Sequence, residues 1–174
     1  NNEAVHHTVI VAVPEGSADA LDAQDEQYGY ECFGGFGVFE MTDLLGGYAP
    51  GTKPNQWNNG LAQKIPGGWD LLVQMHYAPV TQDMEDLTEI NIFTVENELV
   101  EREIQSFTMI DPFIVLPPNQ ITEVYNTQDV PSDISVVSFF PHSHLIGDSW
   151  EVFATTAIND TIPFIKIDNW DFDW

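Results

Sequence analysis

Turn-forming residues cut this chain into pieces better suited to strands than to helices. Gly46-Gly47, Pro50-Gly51, Asn59-Gly60, Pro66-Gly67-Gly68 and Pro117-Pro118-Asn119 punctuate it at close intervals. Between them lie runs rich in β-branched and aromatic residues: Thr8 to Val13, Tyr28 to Glu40, Trp69 to Tyr77, Glu89 to Glu96, Ile134 to Phe140, Trp150 to Thr156 and Ile162 to Ile167. Only Ser17 to Gln27 is compatible with a helix. It is mostly polar, with Leu21 its one large apolar residue, so it reads as a loop or a single turn. Many short strands with frequent turns define an all-β chain of the antiparallel β-sandwich or jelly-roll type.

Asp111-Pro112 and Pro117-Pro118 mark a junction, and the expected division falls near residue 107, into residues 1–106 and 107–174. The second part is short for a complete sandwich. Trp170-Asp171-Phe172-Asp173-Trp174 alternates apolar and acidic residues with period two, the pattern of a strand with one buried face. That pattern runs to the last residue. The expectation is that the gene product continues past Trp174, leaving the second domain truncated. No internal repeat is visible.

Charge restricts the partners. The sequence has 28 acidic and 4 basic residues, a formal net charge of −24. Such a surface repels phosphate backbones and anionic lipid, so nucleic acid is excluded as a partner class. Salt would relieve the self-repulsion, which fits either a salty setting or an ordinary acidic exported protein. The expected location is secreted, extracellular or periplasmic. Abundant aromatics argue for a packed core over disorder. No apolar run is long enough to span a membrane. Cys32 is the single cysteine, so no internal disulfide can form, and it reads as a small buried hydrophobe.

The five histidines fall in three places: His6-His7, His76 and His142-Ser143-His144. Histidine is the commonest metal ligand, through a neutral ring nitrogen. On a strand, residues two apart share a face roughly 7 Å apart at Cα, so His142 and His144 can converge on one ion. His6 and His7 are less natural partners, because adjacent strand residues point to opposite faces. Both reach one ion only if the backbone twists or bulges, or if the rings use different nitrogens. His76 ends the apolar run Leu71-Leu72-Val73-Gln74-Met75. Each cluster alone reads as ordinary surface or core histidine; together they account for every histidine in the chain.

The residues around these histidines resemble the copper type II ascorbate-dependent monooxygenases, the family of peptidylglycine alpha-hydroxylating and dopamine beta-monooxygenases. Val5-His6-His7-Thr8-Val9-Ile10 is similar to the family's His-His opening a strand. Leu72-Val73-Gln74-Met75-His76-Tyr77 resembles its "LQxHY". Pro141-His142-Ser143-His144-Leu145-Ile146-Gly147 resembles its "HxHxxG". Leu116-Pro117-Pro118-Asn119 stands where the family enters its second domain. Tyr30-Glu31-Cys32-Phe33-Gly34, Tyr48-Ala49-Pro50-Gly51 and Ile65-Pro66-Gly67-Gly68 look like an uncharacterised bacterial branch. Each motif is weak alone; the ordered set covers nearly the whole chain.

The resemblance implies two jelly-roll-like domains with one copper each. His6, His7 and His76 would hold an electron-transfer copper in residues 1–106. His142 and His144 would hold the catalytic, oxygen-activating copper in residues 107–174, with a downstream methionine as third ligand. Met41, Met75, Met84 and Met109 all precede the pair, so none matches that methionine. Ascorbate would be the reductant, O2 the oxidant, and a substrate C–H bond the site of hydroxylation. Imidazole and thioether donors suit copper in this role. The peptide-amidating members carry an arginine two residues before the His-x-His. Phe140 stands there instead, so a guanidinium clamp on a substrate carboxylate is missing and a less polar substrate is expected.

Two rival readings stand beside this one. A non-catalytic copper-binding or structural extracellular module would keep the fold without turnover. A zinc hydrolase would use His6, His7 and His76 with a bound water. Other signals carry less. Gly34-Gly35-Phe36-Gly37 lacks the strand–helix context of a dinucleotide loop. Asn159-Asp160-Thr161 fits a glycosylation acceptor. The tryptophans read as core or domain-interface residues.

Overall fold

The computed structural model describes residues 4–24, 26–111 and 113–172. Their regular elements are β1 (Val5–Pro14), one α turn (Asp19–Asp22), β2 (Gly46–Tyr48), β3 (Leu61–Gln63), β4 (Trp69–Tyr77), a 3-10 turn (Asn97–Leu99), β5 (Arg102–Ile104), β6 (Trp150–Thr155) and β7 (Thr161–Ile167). The described residues are therefore mostly strand and irregular chain with almost no helix, and no helix among them is long and apolar enough to cross a membrane. The chain divides into two units, Asn1–Thr108 and Met109–Trp174.

In the first unit, β1 is the centre of a three-stranded sheet ordered β2-β1-β4, antiparallel throughout. Its Val-Ile-Val-Ala-Val run offers apolar side chains to both faces, which suits an interior strand. Val11, Ala12 and Val13 are at most 1% exposed, and the other buried side chains are Ala4, Val5 and Thr8. The core of this unit is thus centred on one strand, in which burying a valine is worth about 1.5–3 kcal/mol. The sheet edge is extended past β2 by Thr42, whose N–H donates to the Ala12 carbonyl at 2.8 Å and whose hydroxyl accepts from the Ala12 N–H at 2.9 Å. Gly47 allows β2 to come this close: a Cβ there would lie 2.5 Å from the Thr8 carbonyl oxygen.

One ladder departs from the antiparallel expectation. β3 and β5 run parallel, Leu61 opposite Arg102 and Gln63 opposite Ile104. A connection of nearly forty residues separates them, long enough for the chain to return in the same direction.

In the second unit, β6 and β7 form an antiparallel hairpin. Its turn is closed by the Thr156 N–H donating to Asp160 O and the Asp160 N–H donating to Thr156 Oγ1, with Asn159 in the left-handed region at φ 64°. Asn159, the glycosylation-like position, therefore sits at a hairpin tip. Trp150, Val152 and Ala154 are half-buried while Glu151, Phe153 and Thr155 are exposed, the alternation of a one-faced strand. Pro163 is tolerated in β7 because that strand has a neighbour on one side only among the described residues.

Four expected strands do not form ladders. Tyr28 to Glu40 is broken by Gly29, Gly34 and Gly37, all at positive φ, which interrupts an extended run. Glu89 to Glu96 and Ile134 to Phe140 have strand-like composition but are not part of any strand ladder. β propensity reflects fit to a half-buried pleated surface, and Val136, Val137, Phe139 and Phe140 are all exposed. Trp170 to Phe172 is irregular, the Trp170 N–H donating to Asp148 O at 2.6 Å. Asp173 and Trp174, which complete that alternating pattern, and Pro112 of the expected junction lie outside the described residues.

Candidate metal centre

His7 and His76 face each other across the β1–β4 ladder. Directly opposed residues share a face, so the pairing register alone brings these rings together. His6 would point away on a regular strand. The register shifts between Val5 and His7, however, leaving His6 as an extra residue in β1 opposite the Tyr77–His76 step. Such a bulge bends the strand and re-aims a side chain. It turns His6 toward the other two histidines.

The result is a convergence of ring nitrogens. His6 Nδ1 lies 3.0 Å from His7 Nδ1, and His76 Nδ1 lies 3.2 Å from the same atom. One ligand atom from each of the three residues lies within 4.8 Å of the others. The rings meet edge to face, with centroids 4.5–5.2 Å apart. A neutral imidazole nitrogen carries either a proton or a lone pair, not both. His7 Nδ1 therefore cannot accept from one neighbour and donate to the other. It can serve both neighbours only in one and the same role, and three lone pairs turned on a single cation also satisfy the geometry. With metal–nitrogen bonds of about 2.0–2.1 Å, ligand nitrogens stand roughly 2.9 Å apart at a right angle and roughly 3.3 Å apart at a tetrahedral one. The His6–His7 and His7–His76 separations fall in that interval. His6 and His7 are half-buried and His76 is exposed, so one side of the cluster faces solvent.

Two neighbouring features escaped sequence reasoning. Gln74, two residues before His76 and on the same face of β4, donates from its amide to the Gly35 carbonyl. The glycine-rich loop is thereby fastened to the strand that carries His76. Tyr77 lines a cavity of about 710 Å³ with Asp83, Met84 and Asp86. Its hydroxyl donates to Asp86 Oδ2 at 3.1 Å. Burial, then the hydrogen bond and negative charge of Asp86, push the phenol above its ordinary pKa. Neither contact has a signal in the sequence, since both join segments with no shared pattern.

His142 and His144 also approach one another, with ring centroids 5.0 Å apart at 88°. Burial first, then the neighbouring His144, holds His142 below its ordinary pKa of 6.5, although much of the residue remains open to solvent. Among the described residues no third histidine, cysteine, aspartate or glutamate joins this pair to form a three-ligand group. Phe172 lies beside His144, with ring centroids 6.2 Å apart. Phe140, at the position where an arginine would clamp a carboxylate, is 79% exposed.

Cys32 is exposed rather than buried. It belongs to the 28–40 segment, whose glycines hold it in a bent path away from any ladder. Of the tryptophans, Trp57, Trp69, Trp150 and Trp170 are half-buried and none of these is fully enclosed. Compared with protein-family models, with curated proteins and with solved structures, the chain finds no match.

Proposed function

We propose that this chain is the copper-binding portion of an exported monooxygenase that hydroxylates a substrate C–H bond with O2 and a reductant such as ascorbate. The observation that supports it most is the bulge at His6, which gathers three imidazole nitrogens where a regular strand would gather two. An all-imidazole donor set suits copper in both oxidation states. Copper bound there supplies one-electron redox chemistry. In this reading His6, His7 and His76 hold the electron-transfer metal, and His142 and His144 contribute two ligands to the oxygen-activating one. The ordered set of motifs around all five histidines supports the same assignment, along with a jelly-roll-like arrangement for each domain. Exposed apolar side chains before the second pair, Phe139 and Phe140 among them, favour a substrate without a carboxylate anchor.

The test is metal identity and stoichiometry on the purified protein, with and without added Cu(II), followed by O2 consumption with ascorbate. Two coppers per chain and ascorbate-dependent O2 uptake support the monooxygenase. One copper without uptake supports the non-catalytic module instead, and bound zinc supports the hydrolase. His76→Ala should empty the first site and stop electron supply while the strands persist. Full copper content and turnover in that variant would overturn the ligand set.

A further inference from the structure

We propose that Trp150 is a positioning residue for the His142/His144 pair, acting through Ser143; that the pair is a metal site rests on the function proposed above. The Trp150 indole N–H donates to Ser143 Oγ at 2.9 Å. Trp150 is the first residue of β6 and stands opposite Ile167 of β7, so this bond ties the histidine segment to the hairpin. The other side of Ser143 is also fixed. The Gly147 N–H donates to His144 O at 2.9 Å and closes a turn. A Cβ at Gly147 would lie 2.6 Å from Ser143 Cβ and 2.9 Å from Trp170 Cδ1, so the backbone at 147 is pressed directly against Ser143 with Trp170 beside it. Trp170 is held in turn by its backbone N–H, which donates to Asp148 O.

Ser143 stands between the two histidines, so fixing its side chain on Trp150 and its Cβ against Gly147 restrains the backbone from which both rings extend to their contact. Fixing irregular backbone costs conformational entropy at every residue. The histidine segment has no ladder to meet that cost, and the Ser143–Trp150 bond meets part of it before any ligand arrives.

The test is a Cu(I) titration of the chain under anaerobic conditions, followed by imidazole NMR so that each histidine is read separately. Trp150→Phe keeps an aromatic side chain, though a smaller one, and removes the donor. It should weaken Cu(I) binding at His142 and His144 by roughly 10- to 100-fold, the usual cost of losing an outer-shell partner, and leave His6, His7 and His76 unchanged. Ser143→Ala removes only the acceptor and should cause the same loss, which covers the case in which Trp150→Phe disturbs the hairpin. The double variant should lose no more than either single one. Wild-type affinity in Ser143→Ala, or additive losses, would overturn the proposal. The metal-free chain gives an independent reading: either substitution should shift and broaden the His142 and His144 ring signals. A chain that takes no copper yet shows that response overturns the function and supports the positioning role. Unmoved ring signals overturn the positioning role whatever the metal does.

Discussion

The two histidine clusters are built by different physics. His6, His7 and His76 are carried by hydrogen-bonded ladders around a strand whose Val11, Ala12 and Val13 are almost wholly enclosed. His142 and His144 lie on irregular backbone in a unit that has no fully buried side chain among its described residues. The first cluster is positioned by strand register, a property of the whole sheet. The second is positioned by one side-chain bond and one tight glycine. A two-stranded hairpin is marginal alone in water, so the second unit offers a weaker frame than the first.

The sharpest way to break this contrast is at its strongest point. His7 is the ring whose nitrogen contacts both others. His7→Ala should cost the first cluster more metal affinity than the roughly 10- to 100-fold that follows loss of an outer-shell partner, while the second pair keeps its own. Competition titration with a chromophoric chelator reads both. Stability comes next. Val11→Ala should destabilise the first unit by about 2–3 kcal/mol, whereas Val152→Ala, on a half-buried position of β6, should cost clearly less. Thermal or denaturant unfolding decides; equal costs would remove the asymmetry. Amide exchange gives a finer reading. β1 and β4 amides should exchange on the order of 10-fold or more slowly than those of β6 and β7, because the latter open without breaking a core.

The smallest expected effect is on pH. His142 has a folded pKa below its ordinary 6.5, so above that value both folded and unfolded forms are neutral and stability is unaffected. As pH falls below 6.5 toward the lowered folded value, the unfolded chain takes up the proton first and the metal-free second unit loses stability. An NMR titration placing His142 above 6.5 would reverse the sign of that dependence.

What the sequence revealed follows the same division. β1, β4, β6 and β7 are dense in β-branched and aromatic residues, and each forms near its expected place. β2, β3 and β5 are three residues each, and a three-residue strand carries no periodicity to read. Conversely, Tyr28 to Glu40 and Ile134 to Phe140 have strand composition but belong to no strand ladder. Pairing is a long-range property, absent from local pattern. The histidines were visible by residue type, and strand geometry offered a twist, a bulge or different ring nitrogens as the ways for His6 and His7 to meet. The choice of a bulge in the Val5–His7 step did not follow from it, because register is fixed by the partner strand. The Ser143–Trp150 bond was hidden for a similar reason: it joins a loop residue to a strand terminus, and neither position has a distinguishing neighbour pattern.

The extra residue at His6 also couples ligand occupancy to folding. A slip of β1 by one position against β4 would separate His7 from His76. Any cation held by the three nitrogens therefore binds one pairing of the two strands and discriminates against every other. A ligand that recognises only the native pairing adds RT ln(1 + [L]/Kd) to its stability, about 2.7 kcal/mol at a hundredfold excess over Kd. The cluster would then act as a cross-link between β1 and β4, set at assembly and released by a chelator, in a chain whose one cysteine cannot provide a covalent one.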